Sequence, residues 1–127
     1  MGLDIYFEKV KRTEVGYFRK INFLVKYFET LGFNGGNLEP FNIKKEYIIT
    51  LKDKCKYILK ANELFDDIKE EAEKVLPNTS GFCFGSTDYD EYYLKDIQEV
   101  YDYCNDTLIP LFDTLGPNET IQFKIWY

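Results

Sequence analysis

No histidine occurs anywhere in the 127 residues. That absence removes the commonest general base, the usual serine and cysteine triads and most zinc sites together. Cysteine is sparse as well. Cys55, Cys83 and Cys104 are odd in number and show no C-x-x-C spacing, a pattern of buried free thiols in a reducing cytoplasm, not of a disulfide framework. Arginine is confined to Arg12 and Arg19, and lysine supplies the rest of the sixteen basic residues. No apolar run is long enough to cross a bilayer. The N-terminus lacks the basic and apolar regions of a signal peptide, and Tyr6 stands where a myristoylation signal needs Ser or Thr. The expectation is a protein of the cytoplasm that needs no cofactor.

What is present is acid and aromatic. A net charge of −6 argues against nucleic acid and against an anionic membrane as partners. Eleven Tyr, eleven Phe and one Trp make 18% of the chain aromatic, enough for a core and for some working surface. The length fits a single domain, residues 1–127.

Leu3, Ile5 and Phe7 alternate with polar neighbours, as do Ile121, Phe123 and Ile125, and period two predicts a strand at each end. Between them the apolar spacing predicts a helix over residues 17–31 and a second from about residue 51 to 76. In the second, a lysine-rich first half and a glutamate-rich second half oppose the helix dipole, at about 0.3–1 kcal/mol per misplaced terminal charge. A break near Ala61-Asn62 would resolve this. Residues 46–50 read as a short third strand or as the lead into that helix. A third helix is predicted to open at Asp88, with Thr87 as N-cap and Asp90 in its first turn. Its stripe runs Tyr89, Tyr93, Ile97, Val100, Cys104, Leu108 and Leu111. Pro110 inside the stripe predicts a kink or restart near Thr107. The fold class expected is α+β, with the N- and C-terminal strands in one small sheet packed against about three helices.

The densest chemistry lies at residues 81–93. Gly85, Ser86 and Thr87 before a helix start could hold an anionic group, and Phe84 or Tyr89 could stack a base, worth about 1–3 kcal/mol. Asp88, Asp90 and Glu91 resist an anion unless a cation offsets them. Helix capping alone accounts for Ser86, Thr87 and Asp90, with Phe82 and Phe84 as core anchors. Arg19 and Asn22, one helical turn apart, reach either a ligand or the acids at Asp88 and Glu91; the second arrangement would tie two helices together. The same acids as a metal site lack a partner cluster. Trp126 on the outer face of the sheet is expected to stack a ligand or to contact another copy of the chain. Cys83 lies near a helix start but has no base to activate it.

The opening Met1-Gly2-Leu3-Asp4-Ile5-Tyr6, the segment Phe18-Arg19-Lys20-Ile21-Asn22 and the block from Gly81 to Tyr92 resemble a group of small phage and prophage proteins without assigned activity. The resemblance implies a viral setting and carries no functional residues with it. In such a setting small proteins often act against host defence. The expected function is therefore a non-enzymatic accessory protein that sequesters a nucleotide-type immune signal of the host. Its ligand set would be Arg19, Asn22, Phe84, Gly85, Ser86, Thr87, Asp88, Tyr89 and Trp126, with a homo-oligomer interface as one place for the ligand. Two alternatives stand beside it: an acidic inhibitor that binds a host defence protein, and a small metal-assisted hydrolase.

Overall fold

Each long helix buries one stripe, and the strands are short. The computed structural model describes residues 2–7, 9–81 and 85–127. The order is α1 (Asn22–Thr30), β1 (Phe41–Ile43), α2 (Lys45–Leu64), α3 (Lys69–Val75), α4 (Glu91–Tyr103), a π turn (Cys104–Leu108), α5 (Ile109–Phe112) and β2 (Ile121–Phe123). The fold is α+β. α2 packs on α4, and Ile48, Leu51, Cys55 and Ile58 share one core with Tyr93, Ile97, Val100 and Cys104. This is the stripe that the period of 3.6 predicts for the helix after the loop.

The sheet differs from expectation in one strand. β2 pairs antiparallel with β1, Phe41 facing Phe123 and Ile43 facing Ile121, whereas residues 3–7 form no strand. Leu3, Ile5 and Phe7 are 85%, 71% and 99% exposed. The reason lies in an aromatic cluster. Phe123 meets Phe28 at 4.3 Å and Phe33 at 5.3 Å between ring centroids, and Phe41 lies 5.9 Å from Phe33. β1 therefore joins the sheet through side chains that its three residues behind Pro40 do not advertise as a pattern. On β2 and its continuation the alternation holds, with Ile121 buried, Phe123 and Ile125 half-buried, and Gln122, Lys124 and Trp126 exposed.

Helix boundaries moved for local reasons. α1 begins at Asn22, not at Tyr17, because Lys20 has φ 60°, a left-handed conformation that no right-handed helix passes through. The chain before it is diverted onto α4: Phe18 packs edge-on against Tyr103 at 5.2 Å, and the Tyr103 hydroxyl donates to the Val15 carbonyl at 2.9 Å. Residues 46–50 are the first turns of α2, not a strand. The long second helix is divided at residues 65–68, slightly beyond the expected break. The division removes the dipole conflict, since Glu70 and Glu71 now occupy the first turn of α3 and Lys74 its last. Pro110 does disturb its helix, as a π turn running from Cys104 to Leu108. Proline cannot donate an amide to residue 106, and the wider turn before it relieves the ring's clash with that carbonyl.

Candidate functional site

The loop between α3 and α4 is held from outside by a side chain of α1. Asn22, 3% exposed at the start of α1, donates through Nδ2 to the Ser86 carbonyl at 2.8 Å. Its Oδ1 accepts from the Thr79 amide at 3.1 Å. A single carboxamide thus bridges the two sides of the loop, using both its donor and its acceptor. Asn78 adds a second clasp: its amide donates to the Tyr89 hydroxyl at 2.9 Å and its Nδ2 to the Asp88 carbonyl at 3.2 Å. Below the loop the Tyr93 hydroxyl donates to the Leu76 carbonyl at 2.8 Å, and Tyr89 packs edge-on against Tyr93 at 5.0 Å.

The helix after the loop opens later than expected. Asp90 is the N-cap of α4, its Oδ1 accepting from the amides of Tyr92 at 3.0 Å and Tyr93 at 3.2 Å. Thr87 is not the cap, because Asp88 is tied into a preceding turn by its amide, which donates to Ser86 Oγ at 3.1 Å. Gly85 has φ 90°, and a Cβ there would lie 3.0 Å from Lys20 Cβ and 3.2 Å from its carbonyl oxygen. Two positive-φ residues therefore meet where the loop crosses the start of α1, one of them a glycine that adopts this conformation without cost.

Two clefts flank this loop. The outer one, about 400 Å³, is lined by Lys69, Glu73, Asn78, Thr87, Asp88 and Tyr89. The inner one, about 150 Å³, includes Lys20, Asn22, Asn78, Gly85, Ser86, Asp88, Asp90, Tyr92 and Asp96 in its wall. Asn78 and Asp88 belong to both. Of the residues expected from sequence, Asn22, Gly85, Ser86 and Asp88 meet in the inner cleft, and Thr87, Asp88 and Tyr89 in the outer. Arg19 is exposed, lines neither cleft and makes no ion pair with a described residue. The expected tether from Arg19 to the acids is thus not made among the described residues, and Asn22 ties the elements together. Trp126 is 82% exposed beyond β2 and lines neither cleft. Phe84, with Phe82 and Cys83, lies outside the described residues.

Lys20, Lys69, Asn78, Tyr92 and Asp96 were missed. Lys20 follows Arg19 directly and shares the wall of the inner cleft with Asp88, Asp90 and Asp96; the clue was charge, carried by the neighbouring residue. Asn78 read only as part of a helix stop. Asp96 has its carboxyl raised from the ordinary range, first by burial and then by Glu99, with Asp90 adding to the rise and Lys95 opposing it. Because the folded value lies above the unfolded one, ionised Asp96 costs stability at neutral pH; the cost begins to shrink as pH falls through the raised value and is gone below the unfolded one. Asp96→Asn is expected to raise the melting midpoint at pH 7 and to lose that advantage on acidification. Thermal melts of both proteins across the acid range check this; an equal midpoint at pH 7 would count against it.

Nucleophile chemistry finds no support in the described thiols. Cys55 and Cys104 are buried and free. Burial pushes the Cys104 thiol up to about 12, against a smaller lowering by Lys52, and pushes Cys55 up further still. Neither forms thiolate at neutral pH. Among the described residues no group of three or more Cys, Asp or Glu side chains could hold a metal ion, which leaves the hydrolase alternative without a ligand set there. No helix of the described residues is long and apolar enough to cross a membrane. No family model, curated protein or solved structure matches the chain.

Proposed function

We propose that the chain binds and sequesters a small phosphorylated nucleoside-type ligand at the paired clefts, acting as a phage accessory protein against a nucleotide immune signal of its host. The observation that carries this is the sharing of Asn78 and Asp88 by two clefts that each hold one lysine, Lys20 in the inner and Lys69 in the outer. Lysine suits phosphate as a compact charge. The Asp88 carboxylate accepts from sugar hydroxyls or a base amine, and Tyr89 and Tyr92 offer faces for stacking. The sequence resemblance to phage proteins supports the setting.

Thermal-shift measurements with cyclic dinucleotides and ADP-ribose derivatives test this. A ligand at a hundred times its Kd stabilises the native state by about 2.7 kcal/mol. Lys20→Ala and Lys69→Ala are expected to weaken that stabilisation, and Arg19→Ala to leave it and the melting midpoint unchanged. Return of intact nucleotide from the denatured complex separates sequestration from hydrolysis. No stabilisation by any of these ligands sinks the proposal.

A second reading, an acidic protein that blocks a host defence protein, draws on one observation. Tyr92 is exposed beside exposed Asp88, Asp90 and Glu91, an arrangement that suits a basic patch on a partner. Stoichiometric co-purification with a host protein, lost in Tyr92→Ala, would favour it.

A further inference from the structure

The N-terminal arm is a strand former without a strand partner. Its residues 3, 5 and 7 are apolar and exposed, while Asp4 and Tyr6 alternate with them. The arm is rooted on the body at two points, Arg12 Nη1 donating to Gln122 Oε1 at 2.7 Å and the Tyr103 hydroxyl donating to the Val15 carbonyl. A Cβ at Gly16 would overlap the Tyr103 hydroxyl, so a larger residue there would displace the Tyr103 ring end. Beyond Arg12, no hydrogen bond joins the arm to the body among the described residues.

The sheet has the complementary deficit. It contains two strands among the described residues, so β2 has one edge with no named strand beside it, although its continuation at Ile125 bridges Asn37 and accepts from the Leu38 amide. A two-stranded sheet is marginal by itself, and an open edge is a template for pairing. On the continuation of β2, Trp126 is exposed. One chain therefore carries both an unpaired strand and an unpaired edge.

We propose that residues 3–7 of one copy add as a strand to the open edge of β2 of a second copy, reciprocally, to form a two-fold dimer. Folding back onto the same chain would need a reversal within residues 9–11, Lys9-Val10-Lys11, which hold no Gly, Pro, Asn or Asp to make it. An extended arm instead carries its apolar residues roughly 17–30 Å from Arg12, at about 3.3 Å per residue. Reciprocity closes both edges with one self-complementary surface. The arm lines neither cleft, so this interface stands independently of the ligand proposed above.

Light scattering of the 127-residue chain is expected to give twice the 15.1 kDa chain mass, and Ile5→Pro to give a monomer with an unchanged helical signal. Ile5→Cys and Lys124→Cys chains, mixed and oxidised, are expected to form a disulfide between copies at those two positions. A monomeric 127-residue chain overturns the proposal, as does a dimer that survives Ile5→Pro. An Ile5→Cys, Lys124→Cys double variant that closes only within one chain overturns it in favour of pairing in cis. Capture of a different protein by the arm of a chain that stays monomeric overturns it in favour of that partner.

Discussion

Phe23→Ala is expected to destabilise the protein by about 3–5 kcal/mol, lowering the melting midpoint by roughly 12–20 °C for a chain of this size. Phe23 is fully buried in the first turn of α1 and meets Tyr93 of α4 edge-on, with ring centroids 5.6 Å apart. Truncation removes that contact and leaves a cavity that the surroundings fill only in part. The site is poorly placed to collapse. Tyr93 is held in position by its hydroxyl on the Leu76 carbonyl, so the ring cannot follow the vacated space without stranding a buried acceptor. A double-mutant cycle with Tyr93→Leu should return a coupling of about 0.5–1.5 kcal/mol for the ring pair. Denaturant melts of the single and double variants measure it. A loss under about 1 kcal/mol would mean that α1 does not pack on α4 in this way.

Asn22→Leu is expected to cost about 2–3 kcal/mol, although the two side chains are similar in size. The loss is electrostatic. Leucine leaves the Ser86 carbonyl and the Thr79 amide without the partners that Asn22 provides, and a partly buried backbone group left unpaired costs about 1–3 kcal/mol. Hydrogen exchange gives the local readout. The Thr79 amide should lose protection in the variant, while amides in the middle of α2 keep theirs relative to global stability. An Asn22→Leu protein with wild-type melting and a protected Thr79 amide would show that the loop holds itself. The same variant bears on ligand binding, because the inner cleft takes part of its wall from Asn22, Gly85 and Ser86. Reduced ligand stabilisation in this variant would report a displaced wall, which is why Lys20→Ala and Lys69→Ala carry the test of the proposed function.

Asn22 illustrates how far spacing reaches. Its position one turn from Arg19 suggests a polar pair that reaches a ligand or the acids at Asp88 and Glu91, tying two helices together; Asn22 instead bonds Ser86 and Thr79 in the loop before α4. Which of the two residues makes the connection depends on Lys20. Its left-handed backbone starts α1 late and places Asn22 inward, while Arg19 stays in solvent. A rotation of that kind leaves no trace in periodicity. Asp90 shows a smaller displacement of the same origin. Hydroxyls and acids both suit a helix start, and with the Asp88 amide turned onto Ser86 Oγ the cap is Asp90, three residues after the expected Thr87.

The amphipathic stripes, the acid-rich helix start, the disturbance ahead of Pro110 and the alternation at residues 121–126 follow from local composition and spacing. Each is a property of a few consecutive residues: a buried face repeating every 3.6 or 2 positions, a missing amide, a side chain that caps. Pairing is different. Residues 3–7 and 41–43 are both competent strands, and periodicity even favours the former. β2 takes Phe41–Ile43 because Phe28, Phe33 and Phe41 surround Phe123, a meeting of rings far apart in the chain. The clefts are likewise made by distant segments, with Lys20, Lys69 and Asn78 brought to one loop by the packing of α1 and α3 around it. Local sequence sets what each segment can become, and burial of side chains against distant partners sets which of those options the chain adopts.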